Sequence, residues 1–216
     1  RHPLSTDAIL QIAERTDAEY VLISTKPTPV RLGQHSLERF LRVAADANAA
    51  MVYSDHYSVV EGTVVRHPVI DYQKGSVRDD FDFGQLVLVN ASLLHEYAAT
   101  PPAHKYAHAG LYDLRLFLSR KAEIFHINEY LYTEEELDNR KSGEKQFDYV
   151  NPRNRAVQEE MEQAVTHHPA ETGAIVDTYF CKMPDFDEQD FDYEASVVIP
   201  VFNRSRTIAD AVGSAL

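Results

Sequence analysis

Apolar residues along this chain fall into short continuous runs, separated by stretches in which they recur every three or four positions. That is the pattern of buried strands alternating with amphipathic helices. Tyr20-Val21-Leu22-Ile23 is a buried run, closed by Ser24, Thr25 and Lys26 and by the turn-forming Pro27 and Pro29. After Gly33, Leu37, Phe40, Leu41, Ala44 and Ala47 recur at helical spacing with Glu38, Arg39, Arg42 and Asp46 mostly between them, which predicts a helix packed on one face. Ala50-Met51-Val52-Tyr53 then predicts a strand that delivers Ser54, Asp55 and His56 at its end. Strand, crossover helix and strand predict a parallel pair. Ligands collect at the carboxyl ends of such strands, here Ser24-Thr25-Lys26 and Ser54-Asp55-His56.

The same reading extends along the chain. Ser5, Thr6 and Asp7 can cap a helix whose buried side is Ile9, Leu10, Ile12 and Ala13. Val59 to Asp71 alternates loosely around Gly62 and predicts a hairpin or an irregular extension. Gly75 to Gly84 is a loop dense in charge and aromatics. Gln85 to Val89 is a buried strand, and Ala91 to Ala98 a helix capped by Asn90. Leu111, Leu114, Phe117 and Leu118 form a helical stripe, followed by strands at Ile124 to Ile127 and at Leu131-Tyr132. Thr133 to Gln146 reads as a mobile surface loop, Asn151-Pro152 as the start of a helix to about Val165, and Pro184 to Asp192 as an acidic linker. Ser196 to Asn203 predicts a further strand and Thr207 to Leu216 the start of a helix. The expected fold is α/β, a mainly parallel sheet with flanking helices. The expected organisation is a domain over 1–170, a linker over 171–195 and the truncated start of a second domain over 196–216.

Composition narrows the partners. In 216 residues, 34 Asp and Glu stand against 21 Lys and Arg, a net charge of -13 that repels nucleic acid and anionic membrane surfaces alike. No apolar run approaches the roughly 20 residues of a membrane-spanning helix. A single cysteine, Cys181, leaves no internal disulfide and fits a reducing compartment, so a cytoplasmic location is expected. The first residue is Arg1, and the chain is read as a fragment of a longer protein.

The segment Ser196 to Leu216, SVVIPVFNRSRTIADAVGSAL, closely resembles the opening strand and first helix of family 2 glycosyltransferases. Residues 8 to 137 resemble the middle and end of the same family. Glu19 to Ile23 is similar to the strand before its DxD signature, Leu37 to Ala49 to the helix after it, and Ala50 to Asp55 to the next strand. Leu111 to Leu116 resembles the helix that follows the catalytic base, and Ile124 to Leu131 the strand that ends the catalytic domain. The resemblance implies a GT-A-type domain lacking its first strands, followed by the start of a tandem copy. The activity it implies is transfer of a sugar from a nucleotide-sugar donor to an acceptor hydroxyl in glycan biosynthesis, with Mn or Mg as the metal if the domain is active.

Two positions depart from that family. Ser24, Thr25 and Lys26 stand where its carboxylates hold the metal, and a lysine there repels a divalent cation. Ala109, Gly110 and Leu111 stand where an acidic pair includes the base, leaving no evident acceptor for the hydroxyl proton. The chain is therefore read as catalytically degenerate, the alternative being a non-catalytic glycan-binding or scaffold domain beside a transferase domain. Candidate residues follow from side-chain chemistry. Lys26 could touch a diphosphate as a fixed cation. Arg78, Asp79, Asp80 and Asp82 could bind a sugar and its phosphate, or form a solvated loop. Asp55 could replace the lost metal ligand or cap a turn. Asp113 could be a displaced base or an ion-pair partner of Arg115, Arg120 or Lys121. His104, His108, His167 and His168 read as surface residues. An open sheet edge, against which Val197 to Val201 could dock in cis or between chains, would permit a homodimer.

Overall fold

The computed structural model describes residues 4–102, 104–135, 155–174, 195–201 and 204–215, divided between a unit spanning Arg1–Ile175 and one spanning Val176–Leu216. The first unit contains helices α1 (Thr6–Arg15), α2 (Ser36–Asp46), α3 (Ala91–Ala99), α4 (Gly110–Lys121) and α5 (Arg155–Thr172). Its strands are β1 (Tyr20–Ser24), β2 (Val30–Leu32), β3 (Met51–Val60), β4 (Thr63–His67), β5 (Leu86–Asn90) and β6 (Ile124–Glu135). The capping residues act as the sequence predicts: Ser5 Oγ accepts from the N–H of Ala8 at the start of α1, and Asn90 Oδ1 from that of Leu93 in α3.

This unit is an α/β domain built on one six-stranded sheet, in the order β1-β5-β3-β6-β2 with β4 added to β3. The expectation of a mainly parallel sheet is corrected. Only β3–β6 is parallel, and the pairings β1–β5, β5–β3, β3–β4 and β2–β6 are antiparallel. β1 and β3 do run in the same direction, but they are not neighbours, because β5 lies between them. Leu86 and Leu88 of β5 belong to one core, and Val87 and Val89 to the other. A strand buried on both faces reads as a continuous apolar run whichever way its neighbours point, so the run alone could not reveal the insertion.

The two cores cover the two faces of the sheet. Ile9, Tyr53, Leu94, Leu114 and Phe117 gather α1, α3 and α4 on one face, while Phe40 and Ala44 bring α2 to Val52, Ile127 and Tyr132 on the other. Ala164 of α5 joins a third cluster with Tyr106, Tyr112 and Leu116. Gly110 opens α4 against the segment before α1, and a Cβ there would collide with the backbone of Ser5 and Thr6.

Three expectations of extent change. β3 does not end at Tyr53 but runs to Val60, with register irregularities against β6 on both sides of Asp55. Ser54, Asp55, His56 and Ser58 are polar yet buried, so the pattern of a strand end was produced by residues with buried partners. Glu61 (φ 49) and Gly62 (φ 78) form the turn into β4. β6 is one strand through Glu135, and it absorbs the first residues of the predicted loop at 133–146. β2 was not predicted. It is a three-residue edge strand after two prolines, too short to show periodicity.

In the second unit, α6 (Ile208–Ala215) matches the predicted helix. Residues 195–201 carry no regular secondary structure, although a strand is predicted there. A strand requires a ladder partner, and among the described residues none pairs with this segment. The acidic run at 184–192 and the predicted cap Asn151-Pro152 lie outside the described residues.

Candidate functional site

Beyond the end of β1 lies a cavity of about 500 Å³. Thr25 and Lys26 contribute from the end of β1, Ser58 from β3, His67 from β4 and Glu134 from β6. The loop Asp79–Gly84 and the α4 residues Tyr112 and Arg115 close its other side.

The strand end is fixed by one side chain. Gln85, fully buried ahead of β5, donates through Nε2 to Ser24 Oγ (3.1 Å) and to the carbonyls of Lys26 (3.1 Å) and Thr28 (2.8 Å). Its Oε1 accepts from the Thr28 hydroxyl at 3.0 Å, and its carbonyl from the Thr25 N–H at 2.8 Å. The turn carrying Lys26 is therefore held by backbone-directed hydrogen bonds and needs no ligand to order it.

Lys26 Nζ donates to Glu134 Oε1 at 2.8 Å, and His56 Nε2 lies 3.4 Å from the same oxygen. Burial raises the Glu134 carboxyl, but the contacts from His56 and Lys26 outweigh it and hold the group at about 2. His56 is sandwiched between the rings of His67, at 4.4 Å, and Tyr132, at 5.0 Å. Tyr132 Oη accepts from the N–H of Gln85 at 2.8 Å, and Gly84, at φ 70, passes so close to that hydroxyl that no Cβ fits.

The loop wall is equally organised. Arg78 grips Asp80 through two bonds of 2.9 Å, which lowers the Asp80 carboxyl. Asp82 pairs with His67 at 2.8 Å and accepts from the N–H of Gly84 at 2.8 Å. Phe81 and Phe83, 4.4 Å apart, pack on Tyr53 and Tyr72. From α4, the Tyr112 hydroxyl donates to the carbonyl of Val77 (2.5 Å) and Arg115 Nη2 to that of Arg78 (2.9 Å).

The cavity thus brings together Lys26, Asp79, Asp80 and Asp82 of the predicted residues, with Arg78 beside them; Asp55 and Asp113 lie elsewhere. Asp55 is inside β3, 1 % exposed; its Oδ1 accepts from the N–H of Val69 (2.9 Å) and faces His126 Nε2 (2.9 Å), whose Nδ1 meets Asp71 (2.6 Å). Asp113 accepts from the Tyr97 hydroxyl at 2.7 Å, and burial raises its carboxyl. Its candidate ion-pair partners are engaged otherwise, Lys121 with Glu96 and Arg120 with His168. His168 is buried rather than on the surface, and burial with Arg120 beside it lowers its imidazole.

Among the described residues, no three His, Cys, Asp or Glu side chains converge as a metal site. Residue reading missed Glu134, Gln85, Tyr112 and Arg115. Only Glu134 left a signal, since Tyr132 and Glu134 alternate as they would on one strand face. No protein-family model matches the chain, and no curated protein is significantly similar to it.

Proposed function

We propose that Arg1–Ile175 is a glycosyltransferase-related domain that binds carbohydrate in the cavity beyond β1 and does not itself transfer a sugar. The intact protein would transfer a sugar from a nucleotide-sugar donor to a glycan hydroxyl, with this domain engaging the glycan. One observation carries the reading: the cavity combines Asp79, Asp80 and Asp82 with Phe81, Phe83 and Tyr112, while Lys26 is already paired with Glu134. Carboxylates accept hydrogen bonds from sugar hydroxyls and ring faces cover the C–H faces of a sugar. A diphosphate would have to take Lys26 from Glu134 and to approach three aspartates.

The resemblance to family 2 glycosyltransferases supports the class. The placement of Asp55 and Asp113 outside the cavity supports binding over catalysis, since neither can meet a ligand seated there. The test is calorimetric titration of the whole chain with neutral and acidic oligosaccharides, and with UDP and GDP in the presence and absence of manganese. Saturable oligosaccharide binding with no manganese-dependent nucleotide binding is the expected result. Manganese-dependent binding of UDP or GDP would overturn the non-catalytic assignment, and absence of all binding would overturn the carbohydrate reading.

A further inference from the structure

Arg115 is the only arginine or lysine among the described residues that is buried, at 4 % exposure, and it forms part of the cavity wall. Its Nη2 donates to the carbonyl of Arg78, but Nε and Nη1 are buried with no hydrogen-bond acceptor. No carboxylate among the described residues lies within ion-pair distance of it, in contrast to Lys26, Arg39, Arg78, Lys105, Lys121 and Arg155. The faces of Tyr112 (4.7 Å), Tyr72 (5.7 Å) and Phe83 (5.7 Å) surround the guanidinium. Ring faces offset part of the cost of burying a cation, yet they accept no conventional hydrogen bond, and a buried charge normally has an anionic partner.

We propose that Arg115 is the anion-recognition residue of the cavity and that its partner is the carboxylate of an acidic sugar, such as a uronic acid residue of a glycan. This assignment rests on the carbohydrate reading above and names the substrate class within it. The neighbouring charges select a carboxylate over a phosphate. Lys26 and Arg78 are already balanced by Glu134 and Asp80, so Arg115 offers the cavity one uncompensated positive charge, which a singly charged carboxylate matches and a doubly charged phosphate exceeds beside Asp79 and Asp82. The three aspartates suit the hydroxyls of the sugar, and the one guanidinium suits its acid group. Access to Nε and Nη1 requires displacement of the loop that Arg115 and Tyr112 hold through the carbonyls of Arg78 and Val77. That loop runs from Gly75 (φ 91), around which there is open space, to Gly84 (φ 70), which is packed against Tyr132 and His56.

Titrating the whole chain with an oligosaccharide containing glucuronate, and with the same oligosaccharide after reduction of its carboxyl groups, separates the two levels of the argument. The acidic form is expected to bind about tenfold to a hundredfold more tightly. Arg115→Lys, which retains a charge among the rings, is expected to lose most of that preference while still binding the reduced oligosaccharide. A measurement that requires no variant accompanies it: the Arg115 Nε–H resonance is expected to shift on adding D-glucuronate and to stay in place on adding D-glucose. Equal binding of the two oligosaccharides, or an Nε–H resonance unmoved by glucuronate, would overturn the assignment of Arg115 and leave carbohydrate binding standing. A shift produced by UDP and not by glucuronate would overturn the carboxylate in favour of phosphate. Failure of both oligosaccharides to bind would overturn the carbohydrate reading together with this inference.

Discussion

Replacing Glu134 with Gln removes a carboxylate that both Lys26 and His56 contact, and its effect can be worked out as a function of pH. In the folded chain the Glu134 carboxyl stands at about 2 against an ordinary value of 4.5, because the contacts from His56 and Lys26 outweigh burial at a residue that is 3 % exposed. A folded value below the unfolded one means that the unfolded chain takes up the proton first. The stabilisation is therefore complete above about pH 4.5 and is lost as pH falls toward 2. A gap of about 2.5 pH units corresponds to about 3 kcal/mol, of which about 2 kcal/mol is lost between pH 6 and pH 3. Glu134→Gln should thus be less stable by up to about 3 kcal/mol at pH 7. Lys26, half-exposed, regains water in the variant, so the deficit should fall below that limit. Urea unfolding of both proteins at intervals from pH 7 to pH 3 measures the difference directly. The variant's stability should decline less steeply, with the two curves converging by about 2 kcal/mol at pH 3. Parallel curves over that range would refute the reasoning, since they would mean that Glu134 is not held as a carboxylate by its neighbours.

Gly84→Ala should destabilise the domain by about 2 kcal/mol or more, because it combines a left-handed backbone with collision against Tyr132 Oη and the His56 ring. Gly75→Ala, at φ 91 but in open space, should cost about 1 kcal/mol, and denaturant unfolding of the pair separates strain from collision. Tyr97→Phe deprives Asp113 of its donor and should cost about 1–2 kcal/mol at neutral pH. Burial already raises the Asp113 carboxyl, and losing the donor raises it further, so this deficit should shrink as pH falls through its titration; a pH-independent deficit would contradict the pairing. Glu160 accepts from the N–H groups of Ala107, His108 and Ala109 (3.1, 2.6 and 3.1 Å), so Glu160→Gln should accelerate hydrogen exchange at those three amides and weaken α5 by about 1–2 kcal/mol.

Sequence by itself determined the elements whose cause is local. Ser5 and Asn90 announce helix starts because a side-chain oxygen can meet a free N–H one turn on, and Phe40 with Ala44 marks the buried side of α2 because helical spacing places them together. The strand-end position of Lys26 and the charged, aromatic loop at Asp79 to Phe83 were legible for the same reason: side-chain chemistry and local punctuation mark them. Tertiary structure alone decided what depends on partners distant in the chain. Asp55 and His56 resembled a strand end until His126 and Glu134, some seventy residues later, supplied the groups they face inside the fold. The insertion of β5 between β1 and β3 changed a parallel pair into a mostly antiparallel sheet, since an apolar run states that a strand is buried but not which neighbours it has. Arg115 reads as an ordinary helical arginine. Only the packing of Tyr72, Phe83 and Tyr112 around it, with Nε and Nη1 lacking acceptors, distinguishes it as the candidate anion site. Local propensity is written into neighbouring residues, whereas burial, partner and net charge at a site emerge when the chain closes upon itself.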